Sequence, residues 1–179
     1  PAYTDVPARS QFSLEISWLA SNGITTGYPD GSFHPIEPVT RAAMAAFLYR
    51  YAGKPSFEAP ARQFFWDVPL SHPFYKEIMW LYFEGISTGY GDFTFRPDAP
   101  VARDAMAAFL YRFAGRPTWQ HQSWAEFTDV QPSSSFANEI DWLASRGIAT
   151  GYDDGTFRPL ASVNRDAMAA FLFRYWRSI

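Results

Sequence analysis

The sequence predicts an all-α protein: three tandem helix–loop–helix repeats forming a pseudo-threefold bundle with protruding outer helices and loops. Three observations lead there. First, the stretch from Gly23 to Arg50 returns as Gly85–Arg112 and Gly147–Arg174, each copy 62 residues from the last. Of the 46 positions from Asp5 to Arg50, 24 carry one residue type in all three copies, without gaps. Second, every copy holds two segments with the apolar spacing of an α-helix. Third, a unit of about 60 residues buries only a marginal core, so three units of one pattern are expected to share one. The repeats run over residues 1–62, 63–124 and 125–179, and none is expected to fold alone.

Each repeat opens with an aromatic, one residue and Asp-Val, at Asp5-Val6, Asp67-Val68 and Asp129-Val130. Phe12, Ile16 and Leu19 then fall at i, i+4, i+7, as do their mates, which predicts a short first helix. Gly23, Gly85 and Gly147 stand just past it, where a left-handed cap is wanted. A compact loop follows, T-G-Y-P-D-G-S-F-H-P in the first copy. Asp-Gly is a tight-turn signal, and repeat 2, with Phe93 in place of that glycine, is expected to turn differently. The second helix starts near Thr40, Ala102 and Asn164, of which threonine and asparagine are good N-caps and alanine is a poor one. Met44, Phe47, Leu48 and Tyr51 form a stripe on a helix otherwise lined with alanine, so the three second helices are expected at the centre, with Phe47, Phe109 and Phe171 mutually close. Linkers after Gly53 and Gly115 carry Phe57, Phe64, Trp119 and Trp124 and read as packed surface crossovers.

Composition narrows the function classes. Aromatics make up 19% and charged residues 18%, which excludes disorder and suits heavy packing, an aromatic carbohydrate-binding surface, or both. A formal charge of −3 with no basic half gives no footing for nucleic acid or an anionic membrane surface. No run of 18 apolar residues offers a membrane span. The absence of cysteine excludes disulfides, thiol catalysis and zinc–thiolate sites, and fits an extracellular protein. The chain begins already inside the first repeat and reads as an excised fragment of a longer protein. Neither G-x-S-x-G, H-E-x-x-H nor a phosphate loop is present. His34, His72 and His121 occupy unrelated repeat positions, so no repeated metal site is expected; the domain reads as non-catalytic, monomeric and without cofactor.

The candidate site lies in a triplicated feature. Arg41, Arg103 and Arg165 each sit at the first position of a second helix, where the macrodipole costs a cation about 0.3–1 kcal/mol. An anion held by free helix N–H groups and the guanidinium fork would explain that placement; an internal salt bridge to Asp5, Asp30 or their mates would explain it otherwise. Tyr28, Tyr90 and Tyr152, preceded by Gly27, Gly89 and Gly151, read either as stacking platforms for a sugar or as core tyrosines. Asp30, Asp92 and Asp154 are most simply turn residues, with Asp30 and Asp154 also at the lip of the loop as ligand contacts. Trp18, Trp80 and Trp142 read as core.

These motifs, D-V…F…E-I…L…G-I, then T-G-Y-x-D-G-x-F-x-P, then V-T-R-A-A-M-A-A-F-L, closely resemble the S-layer homology family in its triple-repeat form, over essentially the whole chain. The A-A-M-A-A-F-L-Y-R form resembles variants found in high-GC Gram-positive bacteria. The resemblance implies a domain that anchors a surface protein non-covalently to the cell wall. It also implies ligands that are secondary wall polysaccharides ending in a pyruvate ketal, held in grooves between repeats. The family's T-R-A-E signature falls on Thr40-Arg41-Ala42-Ala43, Ala102-Arg103-Asp104-Ala105 and Asn164-Arg165-Asp166-Ala167: the arginine is kept, and the glutamate is not. By resemblance the arginine binds the carboxylate. A lattice-forming module without glycan binding and a wall-glycan hydrolase are the alternatives. Among the three sites, the one using the repeat-2 loop is expected to be weakest, with Arg103→Ala the least damaging replacement.

Overall fold

The computed structural model describes residues 3–119 and 127–179. Six α-helices account for its regular structure: α1 (Ser13–Ser21), α2 (Arg41–Tyr51), α3 (Tyr75–Phe83), α4 (Arg103–Phe113), α5 (Ala137–Ser145) and α6 (Arg165–Ser178). The odd-numbered helices are the short first helices, closed by Gly23, Gly85 and Gly147 at φ of 67°, 68° and 66°. After each glycine the next residue donates back to the helix, as Ile24 N does to Leu19 O at 2.9 Å. Fold class and helix positions follow the sequence pattern.

Packing crosses the repeat borders. α2 packs on α3, α4 on α5, and α6 returns to α1. Each pair is sealed by an edge-on aromatic contact repeated around the molecule: Tyr49–Trp80, Tyr111–Trp142 and Phe173–Trp18, with centroids at 5.3, 5.4 and 5.5 Å. A helical hairpin cut out as one sequence repeat would therefore separate both helices from their partners.

Two closures define the pseudo-threefold axis. At the N-terminal ends of the second helices, Val39 N donates to Val163 O, Val163 N to Val101 O, and Val101 N to Val39 O, at 2.8, 2.8 and 2.9 Å. This ring comes with three isolated antiparallel bridges, Pro38 to Asn164, Thr40 to Pro100 and Ala102 to Ser162. At the C-terminal ends, Tyr51, Phe113 and Tyr175 meet pairwise at 5.5, 5.7 and 5.8 Å. The axial trio is thus one turn beyond the expected one: Phe47, Phe109 and Phe171 lie instead beneath Arg165, Arg41 and Arg103. The linker rings pack along the surface, Phe57 and Phe64 on Phe83, and Trp119 through its Nε1–H to Asp141 at 2.7 Å. Residues 120–126, Trp124 among them, lie outside the described residues.

Candidate functional site in the inter-repeat grooves

The site is built by a loop that the opening Asp-Val segment pins. Asp5 accepts the backbone N–H groups of Phe33 and His34 at 2.8 and 2.7 Å; Asp67 and Asp129 hold Phe95–Arg96 and Phe157–Arg158 in the same way. Burial raises the Asp5 carboxyl, but those two N–H bonds outweigh it and hold the group below its usual value. Asp30, Asp92 and Asp154 close the turn by accepting the backbone N–H of Ser32, Thr94 and Thr156 at 2.9–3.0 Å. Gly27 has φ +66°, and a Cβ there would meet Ser32 O at 2.7 Å and collide with the Tyr3 ring. It brings the loop against the core and sets Tyr28 beside it.

The repeat-2 loop keeps this geometry. Phe93 stands at φ 61° where Gly31 and Gly155 stand at 80° and 76°, and its N–H reaches Tyr90 O at 3.1 Å as theirs reach Tyr28 O and Tyr152 O. The expectation of a different turn is overturned: the flanking hydrogen bonds fix the backbone, and the phenylalanine absorbs the left-handed strain.

Into each loop comes an arginine from the preceding copy. Arg41 Nε donates to Phe95 O at 2.7 Å, Arg103 Nε to Phe157 O at 2.6 Å, and Arg165 Nε to Phe33 O at 2.7 Å. Each guanidinium lies over three rings; for Arg103 these are Phe157, Tyr152 and Phe171 at 4.6, 4.9 and 5.6 Å. The grooves are therefore Arg165 with the first loop, Arg41 with the second and Arg103 with the third. The repeat-2 loop faces Arg41, so the expected link between that loop and Arg103 fails.

The arginines are 7–8% exposed, and among the described residues no carboxylate ion-pairs with them. The internal salt bridge considered for them is not formed: Asp92 and Asp154 pair with Arg96 and Arg158 instead. Burial pushes all three guanidinium groups below the usual arginine value. The second half of the anion argument needs correcting. The helix N–H groups are not free, because Arg41 N and Ala42 N donate to Ala99 O and Pro97 O at 2.9 Å, and the other two helices are plugged alike. Ala43 N goes to the Thr40 side chain, whereas Ala105 N and Ala167 N go to Asp104 and Asp166 Oδ1. Asn164 makes no side-chain cap, and Asp166, two residues on, takes the Ala167 N–H in its place. What remains for an anion is the terminal nitrogens of the guanidinium groups.

Residues outside the predicted set complete the grooves. Arg96 lies over the Tyr90 ring at 3.8 Å and Arg158 over Tyr152 at 3.9 Å, so the tyrosines stand between two cations with a face already covered. Their hydroxyls have no partner among the described residues. In the first groove His34 takes the arginine's place, stacked on Tyr28 at 4.2 Å. The third groove holds a cavity of about 460 Å³, whose lining includes Arg103, Tyr152, Asp166, Arg174 and, from ahead of α1, Phe12. All three repeats thus contribute to one groove. The signal for these residues was in the sequence, as the columns 34/96/158 and 37/99/161 that differ between copies.

Six helices in three interlocked copies, each lodging an arginine in the next copy's loop, define a triplicated helical repeat module. The sequence profile of the S-layer homology domain matches residues 2–45, 65–107 and 126–169, and the chain belongs to that family. Cell surface glycoprotein 1 of Acetivibrio thermocellus is 30% identical over 83% of this chain, a span that is 7% of that protein. The cellulosome-anchoring protein of the same organism is 31% identical over 83% of this chain and 34% of its own length. An endoglucanase of Bacillus sp. (strain KSM-635) is 28% identical over 93% of this chain but only 18% of the enzyme. The chain thus spans a minor part of each relative, and the endoglucanase match covers a small segment of that enzyme. Family membership puts the module at the cell surface.

Proposed function

We propose that the domain is a non-catalytic anchor that binds an acidic, pyruvylated secondary cell-wall polysaccharide in its inter-repeat grooves. One observation carries this reading: three buried guanidinium groups, each holding a loop carbonyl through Nε, with Arg41 also reaching the Ser87 hydroxyl at 3.4 Å, lack a carboxylate partner among the described residues. A buried cation without a counter-charge is costly, and a ligand carboxylate on the terminal nitrogens removes that cost through charge-assisted bonds. In the second and third grooves the Tyr90 and Tyr152 hydroxyls, and the guanidinium nitrogens of Arg96 and Arg158 that Asp92 and Asp154 leave free, supply further donors. The name of the cellulosome-anchoring relative fits the same role. The test is retention on purified wall before and after extraction of the non-peptidoglycan polysaccharide. Retention should vanish with extraction and with the triple replacement of Arg41, Arg103 and Arg165 by Ala. Binding that survives extraction would instead favour a lattice role.

A further inference from the structure

The three grooves share one backbone but not one donor set. In the first, Tyr28 Oη donates to Glu37 Oε2 at 2.7 Å, and His34 Nδ1 lies 3.1 Å from the same oxygen. Glu37 is fastened in place by its own backbone, because its carbonyl accepts from Arg165 N at 2.9 Å. The corresponding positions in the other copies are Ala99 and Ala161, and His34 corresponds to Arg96 and Arg158. So Tyr90 and Tyr152 keep unpartnered hydroxyls beside a second guanidinium, whereas the Tyr28 hydroxyl is already spent on an anion.

We propose that Glu37 is a built-in occupant of the first groove, whose carboxylate takes the donors that the other two grooves leave for an acidic sugar, so that the domain binds such ligands in two grooves. The proposal rests on the anion-binding reading above. Glu37 stops short of an ion pair with Arg165, so it acts by engaging Tyr28 and His34 and by placing a negative charge where an incoming carboxylate must approach. The hydrogen bond from Tyr28 holds the Glu37 carboxyl below its usual value, which keeps that charge in place at neutral pH.

The experiment follows the Nε–H resonances of Arg41, Arg103 and Arg165 by NMR while a methyl hexoside carrying a pyruvate ketal is added. In the natural protein Arg41 and Arg103 should respond, and Arg165 should need at least tenfold more ligand. Glu37→Ala, which installs the residue of the other copies, should bring Arg165 into the range of the other two; Glu37→Gln, closer in size, should move it the same way. Equal response of all three arginines in the natural protein overturns the proposal. So does a silent Arg165 in both folded variants. If no arginine responds in any of the proteins, the anion reading itself falls and the proposal with it.

Discussion

The first and third grooves are the same scaffold carrying opposite chemistry. Both use an arginine that donates to a phenylalanine carbonyl and lies over a tyrosine, and both fasten the loop with one aspartate. In the third, Arg158 lies over Tyr152, which lines a cavity together with Arg103, Asp166 and Arg174. In the first, His34 stands in the place of Arg158 and Glu37 in that of Ala161, and the two side chains engage each other. The lesson is that the repeated motif builds the grooves, while the columns that the motif leaves free decide what each can hold.

The strongest way to break this comparison is to remove the arginines singly. Losing the fork to a ligand carboxylate costs about 1.5–3 kcal/mol, roughly tenfold to hundredfold per site. Arg103→Ala should weaken binding to wall polysaccharide by that much, and Arg165→Ala by less, as calorimetry will read. This reverses the ranking expected from the sequence, where each arginine was paired with the loop of its own copy. Equal losses would erase the distinction between the grooves.

A milder test removes one hydroxyl. Tyr152→Phe deletes a donor that is free for ligand, worth about 0.5–1.5 kcal/mol, or roughly two- to tenfold in affinity. Tyr28→Phe should leave affinity closer to that of the natural protein, because its hydroxyl is bound to Glu37. Glycan binding by both variants, measured side by side, decides it.

Smaller again is the effect of the repeat-2 loop. Phe93 carries the left-handed strain that glycine avoids, about 1–2 kcal/mol, against about 0.5–1 kcal/mol of extra backbone entropy lost by glycine. Phe93→Gly should therefore raise Tm by about 1–4 °C in calorimetry. The second groove should still bind as the third does, since the backbone of its loop is unchanged.

These tests mark where the sequence was legible. The first helices, their glycine caps, the central second helices and the position of the arginines all follow from apolar spacing and turn chemistry, which act within about 30 residues. The partner of each arginine did not follow. A repeat states what is alike between copies, and nothing in it says that copy n inserts into copy n+1; the ring of Val39, Val101 and Val163 sets that register. The occupied helix N-termini were hidden for the same reason, since their acceptors, among them Pro35, Pro97 and Pro159 carbonyls, come from a neighbouring copy. Glu37 and His34 were visible as departures from Ala99 and Arg96, but a departure acquires meaning only once the shared geometry around it is known.

The finest contrast between the two grooves is their response to pH. Burial raises the carboxyl of Asp166, so its charged form opposes folding. Its contribution is therefore favourable at low pH and is lost as pH rises from the unfolded value, 3.8, through the higher folded one. Glu37 has the opposite sign. The Tyr28 bond lowers it from 4.5, so its stabilising contribution is full above that value and disappears as acid takes the pH through the lower folded one. Asp166→Asn keeps an oxygen for the Ala167 N–H and removes the buried charge, so it should raise Tm at pH 7 and have less effect near pH 3. Glu37→Gln should lower Tm at pH 7 and have less effect near pH 3, with changes of about 1 kcal/mol or less for so exposed a group. Thermal melts of both variants across that range give the signs directly. If the two carboxylates shift Tm in the same direction at pH 7, the first groove is not held by its own anion in the way the contrast requires.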